Sequence, residues 1–179
     1  MPRYSRVQRW LHWVIAALTL AALAAGVTLG NLGFEGMVDA VGLDATNLIF
    51  KYHKTLGILI FVAMAVRLVS RLHYGKPAYD PPLTGLERRL SAAAHGLLYA
   101  GLLVMPVLGW TATAASDFPV EFFNWRLPGL IGVDKPLGET LYALHGLVGN
   151  FLIALVALHI AAALRHAIIK RDGVLSRMI

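Results

Sequence analysis

Leu141–His166 reads LYALHGLVGNFLIALVALHIAAALRH, a run apolar enough and long enough to cross a bilayer that nevertheless holds His145 and His159. A helix needs about 20 residues to traverse the hydrocarbon core. The two histidines are 14 residues apart, and at about 100° per residue this spacing returns to within about 40° of the starting direction while climbing about 21 Å. The imidazoles therefore share one helix face and sit near opposite membrane surfaces. Ionisable side chains cost free energy in hydrocarbon and mark functional positions there.

The rest of the 179-residue chain has the composition of a membrane protein. Hydrophobic residues make up 58% and charged residues 15%, against roughly 45–50% and 25% in globular domains. There is no cysteine, which excludes a disulfide framework, iron–sulfur ligation and covalent C-x-x-C-H haem attachment. The net charge of +6 does not indicate nucleic acid, because the basic residues collect at the ends of apolar runs instead of forming a patch with interleaved aromatics.

Four stretches predict an all-α, integral membrane four-helix bundle forming a single membrane domain over 1–179, with spans near 7–30, 47–72, 90–115 and 137–166. The first run exceeds the 7–15 residues of a signal-peptide core and is read as a retained span. KPAYDPPLTG and LPGLIGVDKPLG mark turns. The segment FPVEFFNWRLPGLIG is too interrupted to span; it reads either as a lid at the outer interface or as an ordinary loop with belt aromatics. The N-terminus, the Arg67–Arg89 connection and the C-terminus hold 12 of the 16 Lys and Arg, so both termini are expected in the cytoplasm.

Depth sorts the seven histidines. His53 and His145 open the second and fourth spans near the outer surface. His12, His95 and His159 share the inner level, one more than a single bis-imidazole iron needs. Neutral histidine is an axial ligand of haem iron, and small residues one turn away would let a macrocycle approach. Four residues on lie Ala16 after His12, Gly57 after His53, Gly149 after His145 and Ala163 after His159, whereas Tyr99 follows His95 and Lys170 follows His166. This selects His53/His145 for an outer haem b and His12/His159 for an inner one. The plainer reading of any single histidine is polar contact across helices, as for Asn150. His73 reads as a solvated loop residue.

Arg9, Lys51, Lys54, Arg67 and Arg71 are candidates for pairing with haem propionates, although membrane anchoring alone also places cations there. His166, Arg165 and Arg6 are candidates for a quinone edge by depth and polarity.

The segments YSRVQRWLHW, YHKTLGILIFVAMAVRLVSRL, LTGLERRLSAAAHGLLYAGLLVMPVLG, LHGLVG with LHIAAALRH, and VLSRM resemble the bacterial cytochrome b561 family of small diheme membrane cytochromes, over essentially the whole chain. The resemblance implies two non-covalent haem b groups ligated by His12, His53, His145 and His159. It also implies single-electron exchange with ubiquinone in the inner membrane, and members have been assigned superoxide oxidation at the outer face. Here the two outer loops hold four basic and seven acidic residues, so steering an anion would fall to Lys51, Lys54 and Arg126. The expected function is electron relay as an oxidoreductase embedded in the lipid bilayer, with a redox partner protein as a further potential donor. Two other readings are a haem-bearing membrane subunit of a larger dehydrogenase or hydrogenase, and a His-lined metal transporter. The spans lack the central acidic residues and the tetrahedral ligand set that the transporter would require.

Overall fold

A computed structural model describes residues 2–79 and 82–179. Four long helices dominate it: α1 Arg6–Val41, α2 Leu43–Tyr74, α3 Gly85–Ala115 and α4 Lys135–Leu164. All four are long and apolar enough to cross a membrane. The starts of α1, α3 and α4 are written locally. The Ser5 hydroxyl accepts the Gln8 N–H and the Gln8 side chain accepts the Ser5 N–H, both at 3.2 Å. Thr84 and Glu87 repeat this reciprocal cap at the head of α3, and Asp134 caps α4 by accepting the Leu137 N–H at 3.1 Å. Each such cap satisfies orphan backbone donors and is worth about 1 kcal/mol.

The first apolar run does not end its helix near Gly30. It breaks at Gly33 (φ 65°, ψ −175°), a conformation open only to glycine, and helix then continues to Val41. Gly42 (φ 83°) joins α1 to α2. At the other end of the pair, Arg67 Nη1 donates to Gln8 O at 2.7 Å and Gln8 Nε2 to Gly75 O at 3.0 Å, so α1 and α2 run antiparallel. The main packing is α1 on α2 and α3 on α4, with α2 on α3 closing the middle and only sparse contact between α1 and α4. Ile15, Ile60 and Met64 form the buried centre, surrounded by Leu11, Leu18, Tyr99 and Leu102. Gly101 lets Leu152, itself 1% exposed, key α4 into α3. The outward faces carry exposed Leu20, Val62, Val69, Leu147 and Leu158, as expected of helices whose solvent is lipid.

The α3–α4 connection, read from sequence as a lid or loop, holds a short hairpin in the otherwise all-α chain. β1 Val120–Phe122 and β2 Trp125–Leu127 pair antiparallel, with Glu121 opposite Arg126. The hairpin is fastened to α2: Phe123 N–H donates to Thr55 Oγ1 at 3.0 Å, Lys51 Nζ to Asn124 Oδ1 at 2.8 Å, and Lys54 Nζ to Glu121 Oε2 at 2.5 Å. These bonds hold Phe123 in the left-handed region (φ 53°), which costs a non-glycine residue about 1–3 kcal/mol. Trp110 Nε1 donates to Pro128 O at 3.0 Å, tying the next stretch to α3.

The opposite end of the bundle carries both termini. There α4 passes into a π-helical turn, Arg165–Lys170, followed by a 3₁₀ turn, Leu175–Arg177. Glu87 accepts from Lys170 at 2.5 Å and from Arg165 at 3.4 Å, tying α3 to this turn. The turn reading of KPAYDPPLTG falls partly on Asp80 and Pro81, which lie outside the described residues.

Candidate functional site

Histidines from three helices converge at two levels. At the terminal end, His12 on α1 and His159 on α4 have ring centres 6.1 Å apart with planes at 72°. At the hairpin end, His53 on α2 and His145 on α4 are 6.2 Å apart at 78°. Two metal–imidazole bonds of about 2.0 Å, plus about 1.1 Å from each bonded nitrogen to its ring centre, require about 6.2 Å. Both pairs therefore have the spacing of two imidazoles on opposite sides of one metal ion.

His95 on α3 also faces His159, with ring centres 5.3 Å apart. That is about 1 Å too close for an iron between them on the same arithmetic. Its Nδ1 is held by the Ser91 carbonyl at 2.6 Å. His95 thus packs against the terminal-end pair at a distance that leaves no room for a shared metal.

At the hairpin end, Nδ1 of both His53 and His145 is buried without a hydrogen bond, a state that asks for an explanation in a native interior. The backbone of Ala22 lies beside the His53 ring and that of Met105 beside His145. Two glycines that sequence reasoning passed over make this approach possible. A Cβ on Gly26 would lie 3.2 Å from His53 Cε1, and one on Gly109 would lie 3.0 Å from His145 Cε1. A signal existed: Gly26 follows His12, and Gly109 follows His95, by the same 14 residues that separate His145 from His159.

The four small residues chosen for macrocycle clearance have milder surroundings. A Cβ on Gly57 would meet Pro106 at 3.9 Å and one on Gly149 would meet the Met105 methyl at 3.1 Å. Ala16 and Ala163 are half-buried.

The basic candidates divide by level. Among the described residues, Arg67 and Arg71 have no carboxylate partner. Arg71 lies over the Tyr99 ring at 5.2 Å, Arg9 Nη1 bonds to Ile179 O, and Arg9 Nε is buried without a partner. With Gln8, His95 and Tyr99, Arg67 and Arg71 line a recess of about 20 Å³. Anionic propionates fit this uncompensated positive set. Lys51 and Lys54 are engaged instead by the hairpin.

The three quinone candidates are not brought together. His166 Nδ1 is 2.6 Å from Asp172 Oδ2, Arg165 reaches Glu87, and Arg6 is exposed in the first turn of α1. His166 lies in the π-helical turn that follows Leu164. A larger cleft of about 400 Å³ lies between the hairpin and the end of α3, lined by Phe118, Arg126, Leu127 and Val133, and no histidine borders it.

The family described as prokaryotic cytochrome b561 matches residues 3–179. Cytochrome b561 homolog 1 of Escherichia coli strain K12 is 27% identical over 179 residues, covering 100% of this chain and 98% of that protein. A protein of Yersinia pestis named probable superoxide oxidase CybB is 25% identical over 177 residues, covering 99% and 96%. Cytochrome b562 of Cereibacter sphaeroides is 28% identical over 180 residues, covering 99% and 96%. A match over nearly the whole length, on a bundle whose histidines meet in pairs at metal-ligand spacing, places this chain in the prokaryotic cytochrome b561 family of b-type membrane haem proteins.

Proposed function

We propose that this protein is a diheme b-type cytochrome of a bacterial inner membrane, with both termini cytoplasmic, carrying single electrons between a donor at the outer face and ubiquinone. One observation carries the reading: two histidine pairs with ring spacings of 6.1 and 6.2 Å stand at opposite ends of one apolar bundle. Haem, when bound, supplies a reversible one-electron couple. His53 and His145 would hold one group from α2 and α4, and His12 and His159 the other from α1 and α4. With two imidazoles holding each group, substrate would be kept from binding directly at iron and outer-sphere transfer would be favoured. Between the levels, Ile15, Ile60 and Met64 keep water out. Arg67 and Arg71 would supply the positive charge for propionates at the cytoplasmic level, with Arg9 able to join them on leaving Ile179 O.

Superoxide is the outer donor suggested by the name of the Yersinia relative. Since Lys51 and Lys54 are committed to the hairpin, attraction of that anion falls to Arg126, exposed on β2. Ubiquinone would approach the cytoplasmic end near His166, Arg165 and Arg6, the first two giving up Asp172 and Glu87.

The test is a pyridine haemochrome count. Wild-type protein is expected to bind two haem b per chain, and His53→Ala or His12→Ala one; one haem in the wild type overturns the proposal. The same preparation, given superoxide, should reduce ubiquinone unaided. A soluble dehydrogenase subunit that copurifies, and is needed for quinone reduction, would favour the membrane-subunit reading.

A further inference from the structure

We propose that Gly26 and Gly109 are positioning residues for the hairpin-end imidazoles: each leaves a notch in a flanking helix that seats one ring edge, and together they fix the planes of His53 and His145. The proposal rests on the reading of these two histidines as haem ligands.

The two glycines are placed unlike the others in the bundle. Gly101 faces Leu152 and Gly149 faces Met105, the usual service of a small residue between packed helices. Beyond the helix's own backbone and the adjoining residues, the atoms within 4 Å of a Cβ added at Gly26 belong to His53, and the three nearest to one at Gly109 belong to His145, at 3.0, 3.2 and 3.9 Å. Gly26 is on α1 and Gly109 on α3, the two helices that contribute no histidine to this level. Each imidazole is thus backed by a bare stretch of a neighbouring helix.

The missing Cβ atoms also open the way to a backbone carbonyl. In a helix, residue i+4 lies over the carbonyl of residue i. Gly26 lies four after Ala22 and Gly109 four after Met105, the two residues whose backbones lie beside the rings. A carbonyl next to the second nitrogen of a metal-bound imidazole fixes its tautomer and ring orientation. Nδ1 of both rings, buried and without a hydrogen bond, lies where such an acceptor is needed. At the terminal end, no glycine of the four helices would set an added Cβ with His12 or His159 among its nearest neighbours. The device belongs to one level.

Alanine is the better helix former, so harm from Gly→Ala at these positions comes from the rings. At 3.2 Å the His53 edge must yield by a few tenths of an ångström, and at 3.0 Å the His145 ring must yield more. Axial-ligand orientation and outer hydrogen bonding tune the iron.

The experiment uses purified holoprotein carrying Gly26→Ala, Gly109→Ala or, as control, Gly30→Ala, whose added Cβ meets nothing within 4 Å. Haem per chain, the low-spin ferric EPR signals and a redox titration are recorded. One of two EPR signals and one of two midpoint potentials should shift, more for Gly109→Ala than for Gly26→Ala, while the other haem and the control match wild type. Loss of the hairpin-end haem alone also supports the proposal. Two bound haems with unchanged signals in both variants, or equal disturbance or loss of both haems, overturns it. A wild-type protein with a single haem overturns the ligand reading beneath, and this proposal with it.

Discussion

Arg177 is 2% exposed and has no carboxylate partner among the described residues. Its charge is met by backbone and aromatic faces: Nη2 bonds to Pro77 O and, at 3.2 Å, to Ala78 O, Nε approaches Pro2 O at 3.4 Å, and the guanidinium lies 4.0 Å from the Tyr79 ring centre. It therefore fastens the tail to the N-terminus and to the start of the α2–α3 connection. Hydrogen bonds to a charged group contribute about 1.5–3 kcal/mol each and a desolvated cation–π contact about 2 kcal/mol. Desolvation of the guanidinium takes back several kcal/mol, leaving a net of about 3 kcal/mol. At about 1.4 kcal/mol per tenfold, Arg177→Ala should open the tail about a hundredfold more often. The reporter is the Tyr4 amide, which donates to Arg177 O at 3.2 Å; this backbone bond survives the substitution chemically and is lost only on opening. Hydrogen exchange at Tyr4 should accelerate by about two orders of magnitude, with the α2 amides unchanged. Arg177→Lys should recover only part of the protection, because one ammonium nitrogen cannot reach Pro2 O together with Pro77 O and Ala78 O, nor stack on the Tyr79 ring as a planar guanidinium does. Unchanged exchange at Tyr4 in Arg177→Ala would refute the reasoning.

Two further outcomes follow from named contacts. An added Cβ on Gly101 would lie 2.7 Å from Leu152 Cδ2, so Gly101→Ala should destabilise α3–α4 packing by about 1–3 kcal/mol; thermal melts should show the Gly101→Ala/Leu152→Ala pair losing less than the two single losses added, and a neutral Gly101→Ala would contradict the packing argument. Burial works to raise the Asp172 carboxyl, but the hydrogen bonds from His166 and the Val174 N–H outweigh it and hold it below the ordinary 3.8. A depressed carboxylate stabilises the docked tail fully above its unfolded value and loses that contribution as pH falls through its folded value. Protection of the Val174 amide should accordingly hold above about pH 3.8 and fall below it, with Asp172→Asn flattening the profile; superimposable profiles would exclude this role.

Periodicity determined much by itself. The 14-residue interval puts His145 and His159 on one face at two depths whatever surrounds them, because helix geometry is local. The caps Ser5–Gln8 and Thr84–Glu87 are legible for the same reason: all their atoms lie within one turn. Cation placement at the ends of apolar runs is likewise a property of single segments.

What faces each histidine was settled between segments. Sequence could set His95 aside only by the bulk of Tyr99, whereas the bundle sets it 5.3 Å from His159 and leaves 6.1 Å between His12 and His159. Lys51 and Lys54 flank His53 in sequence yet turn to a hairpin about 70 residues away, whose short strands no helical period announces. His166 meets Asp172 only because the chain turns back after the π-helical end of α4. Composition and spacing fix which face of a helix is polar and at what depth. The rotation of each helix against its neighbours, and the distant backbone that fills the gaps, arise from packing of the whole chain, so Gly26, Gly109 and Arg177 acquired their partners only in three dimensions.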